Sequence, residues 1–206
     1  RVLEKTPDIT PQAYNLALKK PEDRIGKILY IYDGAGEAYA TEDHTLLQKY
    51  YDYVDGLIFV IDPFSIDLYR REHKREVNAL RTALRPSRLR VMDGYERMIT
   101  VLEGSIGPRS GGRFKQPIAV VISKGDALDL EAKIGRSAAQ KLMQCDPTIR
   151  LEEDAINLLV EQFLIEYEMG NLIRDLHLQF EQVRFFSCSA LGRMPDERNH
   201  QSFQQV

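Results

Sequence analysis

Cysteine is scarce in this chain of 206 residues, which holds two, Cys145 and Cys188. Two are too few for a disulfide framework and fit a reducing cytoplasm. Cys188 falls in an apolar strand and is expected in the core. Excess charge is also small: a net charge of −3 argues against a whole-protein nucleic-acid footprint. No apolar run approaches the ~20 residues of a membrane span, and no stretch reads as a secretory leader. The four histidines are scattered, without a second ligand at useful spacing, so no metal cluster is expected. There is no internal repeat. What is present is 43% hydrophobic and 29% charged residues, the balance of a folded domain with a substantial core.

One stretch stands out, Pro117 to Asp126, reading P-I-A-V-V-I-S-K-G-D. Ile118 to Ile122 is an unbroken, β-branched apolar run, the pattern of a strand buried on both faces. It ends in Ser123-Lys124-Gly125-Asp126. Polar groups at the carboxyl end of a buried parallel strand lie where open α/β sheets bind ligands. A fixed carboxylate there suits guanine, whose ring N–H and exocyclic amine both donate. The Lys124 stem can lie along the flat base. Adenine offers no matching pair of donors, and a site built on hydrogen bonds discriminates by roughly 10⁴-fold or more. A solvated Ser/Lys/Asp turn after a strand also occurs where nothing binds.

Two more apolar strands end in turns of definite chemistry. Lys27 to Tyr32 runs into Asp33-Gly34-Ala35-Gly36-Glu37. Asp33 can reach a Mg²⁺ ion through a coordinated water. Gly36 offers a phosphate a backbone N–H with no side chain in the way. Val183 to Cys188 runs into Ser189-Ala190-Leu191-Gly192. There the Ala190 N–H can donate to the guanine carbonyl and Ser189 can brace Asp126.

The rest of the chain supplies the frame. Ala13 to Leu18 is a strand, and the turn at Lys19 to Arg24 makes it an antiparallel hairpin with Lys27 to Tyr32. Gly56 to Ile61 reads as a third, fully buried strand. It is closed by Asp62 as a helix cap, with Pro63 at the first helical position. Ile66, Tyr69, His73, Val77, Leu80 and Leu84 share one helical face, with His73 as a core histidine. The opposite face carries Arg70, Arg71, Lys74, Arg75, Arg81 and Arg85, either a solvated face or one that meets an anionic partner. Helices are expected over Asp93–Leu102, Leu128–Met143, Glu152–Tyr167 and Asn171–Phe180, and an exposed loop over Glu103–Gln116. Residues 193–206 read as a disordered tail. Strands alternating with helices imply one α/β domain over 1–206: a three-layer, mostly parallel sheet with the hairpin supplying one antiparallel edge strand.

The three turns, in this order, resemble the Ras-like, translation-factor-related GTPase superfamily of P-loop NTPases. Asp33-x-x-Gly36 is similar to its phosphate-sensing switch motif. Ser123-Lys124-x-Asp126 resembles its guanine motif, with Ser in the first place, and Ser189-Ala190-Leu191 its third base-contacting motif. The wording Y-D-G-A-G-E, F-V-I-D-P-F-S and F-F-S-C-S-A-L-G is similar to bacterial double-GTPase proteins of GTPase-associated systems. The resemblance covers roughly Thr6 to Gly192. It implies GTP and GDP as ligands, indirectly held Mg²⁺, hydrolysis of GTP to GDP and phosphate, and a switch that a protein effector reads. It also implies a switch threonine, for which Thr10 has the more usual spacing and Thr6 competes. Glu37 stands where many members orient the attacking water with Gln. A carboxylate beside a triphosphate predicts slow hydrolysis without an added arginine.

The family's phosphate cradle, G-x-x-x-x-G-K-[S/T], appears nowhere in the sequence. Gly26-Lys27 runs straight into a strand and cannot serve. In the family the cradle's strand lies between the D-x-x-G strand and the F-V-I-D strand, so those two should have unpaired inner edges here. Two expectations compete. In one, the chain is a piece of a GTPase without its first strand, cradle and helix, as the Arg1 start and absent terminal helix suggest. In the other, it is a pseudo-GTPase acting as an interaction module. An ATPase of similar fold is a third. In none of them is tight nucleotide binding by this chain alone expected.

Overall fold

The computed structural model describes residues 12–18, 27–33, 54–79, 86–87, 89–106, 112–190 and 192. The chain divides into two compact units. One comprises Arg1–Val54 and Glu96–Pro108, the other Asp55–Tyr95 and Arg109–Val206.

The first unit contains the expected hairpin. Strands β1 (Gln12–Leu18) and β2 (Lys27–Asp33) pair antiparallel, Gln12 opposite Asp33 and Leu18 opposite Lys27. They form a two-stranded sheet of their own. Among the described residues no strand pairing joins the hairpin to the parallel strands.

In the second unit, β3 (Leu57–Ile61), β4 (Ile118–Ile122) and β5 (Val183–Ser187) form a parallel sheet in that order. Ile61, Ile122 and Ser187 end level with one another. Parallel strands need crossovers of a dozen or more residues, and helices supply them here. From β3 the chain passes through one 3-10 turn, Pro63–Ser65, into α1 (Asp67–Glu72) and α2 (Lys74–Ala79), then into α3 (Val91–Ile106), which from Glu96 onward belongs to the first unit. Between β4 and β5 come α4 (Leu130–Ile134), α5 (Arg136–Cys145), α6 (Glu152–Glu166) and α7 (Gly170–Gln179).

The periodicities seen in the sequence bury what they should. Ile66, Tyr69 and Val77 are buried, whereas Arg70, Arg71, Lys74 and Arg75 are exposed. Val160, Phe163, Leu164 and Tyr167 of α6 and its following turn are buried, as are Leu172, Ile173 and Leu176 of α7. The Tyr69 ring meets Phe163 and Tyr167 edge-on, at centroid distances of 5.5 and 5.1 Å. Arrangements of this kind add about 0.5–1.5 kcal/mol each beyond area burial.

Several expectations are corrected. Strand β3 is not buried on both faces: Leu57 and Ile61 are covered, but Ile58 is 62% and Val60 59% exposed. Their register partners on β4, Ala119 and Val121, are only partly covered, whereas Ile118, Val120 and Ile122 are buried. The sheet is packed on one face, and an apolar run cannot distinguish one covered face from two. Segment 103–116 is not wholly an exposed loop. The Phe114 ring is buried against Phe180, with centroids 5.1 Å apart, and the Phe114 N–H donates to the Gln179 carbonyl. Cys188 is exposed, not core, because it lies one residue beyond β5.

Candidate functional site

The carboxyl ends of β3, β4 and β5 form one rim. At β4 the Ser123 N–H and hydroxyl both donate to the Ile61 carbonyl, at 2.9 and 3.1 Å, tying the S-K-G-D turn to the end of β3. On the other side the Cys188 N–H donates to the Ile122 carbonyl and the Gly125 N–H to the Cys188 carbonyl, both at 2.9 Å. The turn after β4 is thus stitched to both neighbours. Lys124 and Leu128 have φ of +56° and +53°. Non-glycine residues hold such angles where the surroundings over-determine them, often at functional turns.

Of the residues singled out in the sequence, Ser123, Lys124, Asp126, Ser189 and Ala190 come together on this rim. Asp126 is half-buried and Ala190 exposed. The Ser189 hydroxyl accepts from the Gly192 N–H at 2.8 Å. Burial and, secondarily, the Asp126 carboxylate push the Cys188 thiol above its ordinary pKa. Asp33 ends β2, in the other unit. Thr10, Gly36, Glu37, Leu191, Leu80, Leu84, Arg81, Arg85 and the 193–206 tail lie outside the described residues. Among the described residues no group of His, Cys, Asp and Glu is arranged to hold a metal ion.

A half-open cleft of about 230 Å³ lies beside β3, lined by Phe59, Asp62, Ser65, Ser87, Leu89 and Ser123 among others. Lys124, Asp126 and Ala190 do not line it. Asp62 fills its expected role as cap, accepting from the Phe64 N–H at 3.0 Å. It also accepts from Lys124 Nζ and from the Ser87 N–H, each at 2.7 Å. The D-P pair announces the cap, but nothing local in the sequence announces the other two contacts.

A second polar group links the helices. The Tyr69 hydroxyl donates to Asp129 Oδ1 at 2.8 Å, and His73 Nε2 lies 3.3 Å from the same oxygen. Lys133 Nζ donates to Tyr167 Oη at 2.7 Å and to Glu166 at 3.1 Å, and lies 3.6 Å from Asp129 Oδ2. Burial, reinforced by Asp129, drives the Tyr69 phenol far above its ordinary pKa. For Lys133, burial opposes the charge, but the bonds to Tyr167 and Glu166 outweigh it and hold the ammonium above its usual range. The apolar side of this helix face is legible in the sequence, whereas Asp129 and Lys133 sit in an ordinary-looking helix start that gives no local signal of these contacts.

The second unit is therefore an α/β layer structure whose parallel strands end in a polar rim. No protein-family model, curated protein or solved structure matches the chain. Among the described residues no helix is long and apolar enough to cross a membrane.

Proposed function

We propose that the rim formed by Lys124, Asp126, Ser189 and Ala190 is the base-recognition side of a guanine-nucleotide site, in an intact protein that converts GTP to GDP and phosphate and acts as a switch. One observation carries the proposal. The S-K-G-D and S-A turns follow adjacent parallel strands at the same end of one sheet and are joined by the Gly125–Cys188 hydrogen bond. Asp126 supplies the acceptor pair for guanine, and the Ala190 N–H a donor to its carbonyl. The resemblance would assign Mg²⁺ to Asp33 and Thr10, the terminal phosphate to Gly36 and the water to Glu37, all of them residues of the first unit. The phosphates would be held by a segment outside this chain, since the sequence has no Gly-rich cradle. β3 has no second strand partner among the described residues, which leaves an edge for such a segment.

The test is titration of the intact protein with GDP, ADP and XDP. GDP is expected to bind and ADP to fail. Asp126→Asn should weaken GDP and favour XDP, because the amide reverses half of the hydrogen-bond pattern. GDP affinity untouched by that change would reject the base assignment. The exposed Ile58 and Val60 favour a second reading, an interaction module without turnover. Its mark would be an intact protein that takes up none of the three nucleotides.

A further inference from the structure

The Asp62 carboxylate draws together donors from three parts of the chain: Phe64, Ser87 and Lys124. A helix cap needs only the first. The Asp62 side chain is 11% exposed, and a carboxylate so enclosed needs a countercharge. Lys124 supplies one from the next strand end, with its Nζ also 5.6 Å from the centre of the Phe64 ring. Lys124 carries the left-handed backbone of the S-K-G-D turn.

We infer that Asp62 is a positioning residue for that turn: it anchors the Lys124 ammonium and thereby holds the backbone that sets Asp126 on the rim. What the rim binds rests on the guanine reading above; the anchor itself rests on these contacts.

Asp62→Asn keeps an acceptor for the Phe64 N–H and nearly the same volume while removing the charge. Amine acetylation of the native chain, read by mass spectrometry with exposed Lys74 as internal standard, reports the anchor directly. Modification of Lys124 is expected to rise about tenfold in the variant, at the lower end of what a charge-assisted hydrogen bond restrains. Unchanged modification would overturn the inference. If Asp62→Asn does not fold, Lys124→Met and Lys124→Arg decide the matter by urea unfolding. Methionine should lower the midpoint by stranding Asp62, and arginine should restore much of it. Equal midpoints for both and for the unaltered chain would also overturn the anchor. In the intact protein, Asp62→Asn should weaken GDP about tenfold as well. Raised acetylation without GDP uptake by either form would retain the anchor and remove the guanine reading. GDP bound equally by both forms, with unchanged acetylation, would do the reverse.

Discussion

The backbone N–H of Gly125 donates to the carbonyl of Cys188 at 2.9 Å, joining two turns 63 residues apart in the chain (188 − 125). The bond makes one surface of two short motifs that are each common by chance. It also leaves little room at position 125: a Cβ there would meet the Ser187 hydroxyl and lie 3.3 Å from the Cys188 carbonyl oxygen.

Gly125→Ala is therefore expected to destabilise the chain by about 1–3 kcal/mol, the usual cost of overpacking. Gly170→Ala is the control. Nothing lies within 4 Å of its added carbon, and it opens a helix, so it should be neutral or stabilising by up to about 1 kcal/mol. Urea midpoints of the two variants check both.

The uneven faces of the sheet predict a second contrast. Val120 is fully buried and Val60 is 59% exposed. Val120→Thr places a hydroxyl where no water reaches and should cost about 1–3 kcal/mol. Val60→Thr should stay within about 0.5 kcal/mol, as exposed substitutions do. Equal costs would mean that something covers Val60.

Alkaline stability follows from Tyr69. An unfolded phenol ionises near pH 10, whereas burial and Asp129 keep the native one protonated well above that. Above about pH 10 the unfolded chain has released a proton that the native chain retains, so stability falls as pH rises. Lys133, also raised, acts in the same direction. Tyr69→Phe should lower stability at pH 8 by about 1–2 kcal/mol and make the decline above pH 10 shallower. Urea unfolding at pH 8, 10 and 11 measures both effects.

The thiols give a local reading of the rim. Cys145 and Cys188 are both exposed, so a disulfide reagent should titrate both in the native chain. Cys188 should react more slowly at pH 8, because burial and Asp126 keep it protonated. Asp126→Asn should accelerate Cys188 by about two- to threefold and leave Cys145 unchanged. A rate at Cys188 indifferent to position 126 would separate the two groups that the rim brings together.

Much of the framework was legible in the amino-acid order. Runs such as I-A-V-V-I and V-R-F-F-S specify strands, the three- and four-residue spacing of Ile66, Tyr69 and Val77 specifies a helix face, and Asp62-Pro63 specifies a cap. These are local matters of backbone preference and side-chain period. The break at His73 between α1 and α2, and that at Gly135 between α4 and α5, were not legible, because the apolar period continues across both.

From its order of residues alone, the chain determined three parallel-type strands, their helical crossovers and the polar turns that end them. Only the tertiary structure decided that β3 shows one face to solvent, that Asp62 takes Lys124 from across the rim, and that Asp129 gathers Tyr69, His73 and Lys133. Each of these depends on which distant segment occupies the neighbouring space. Period and propensity act within a few residues, whereas burial and ion pairing act through space and are settled only when the segments have packed.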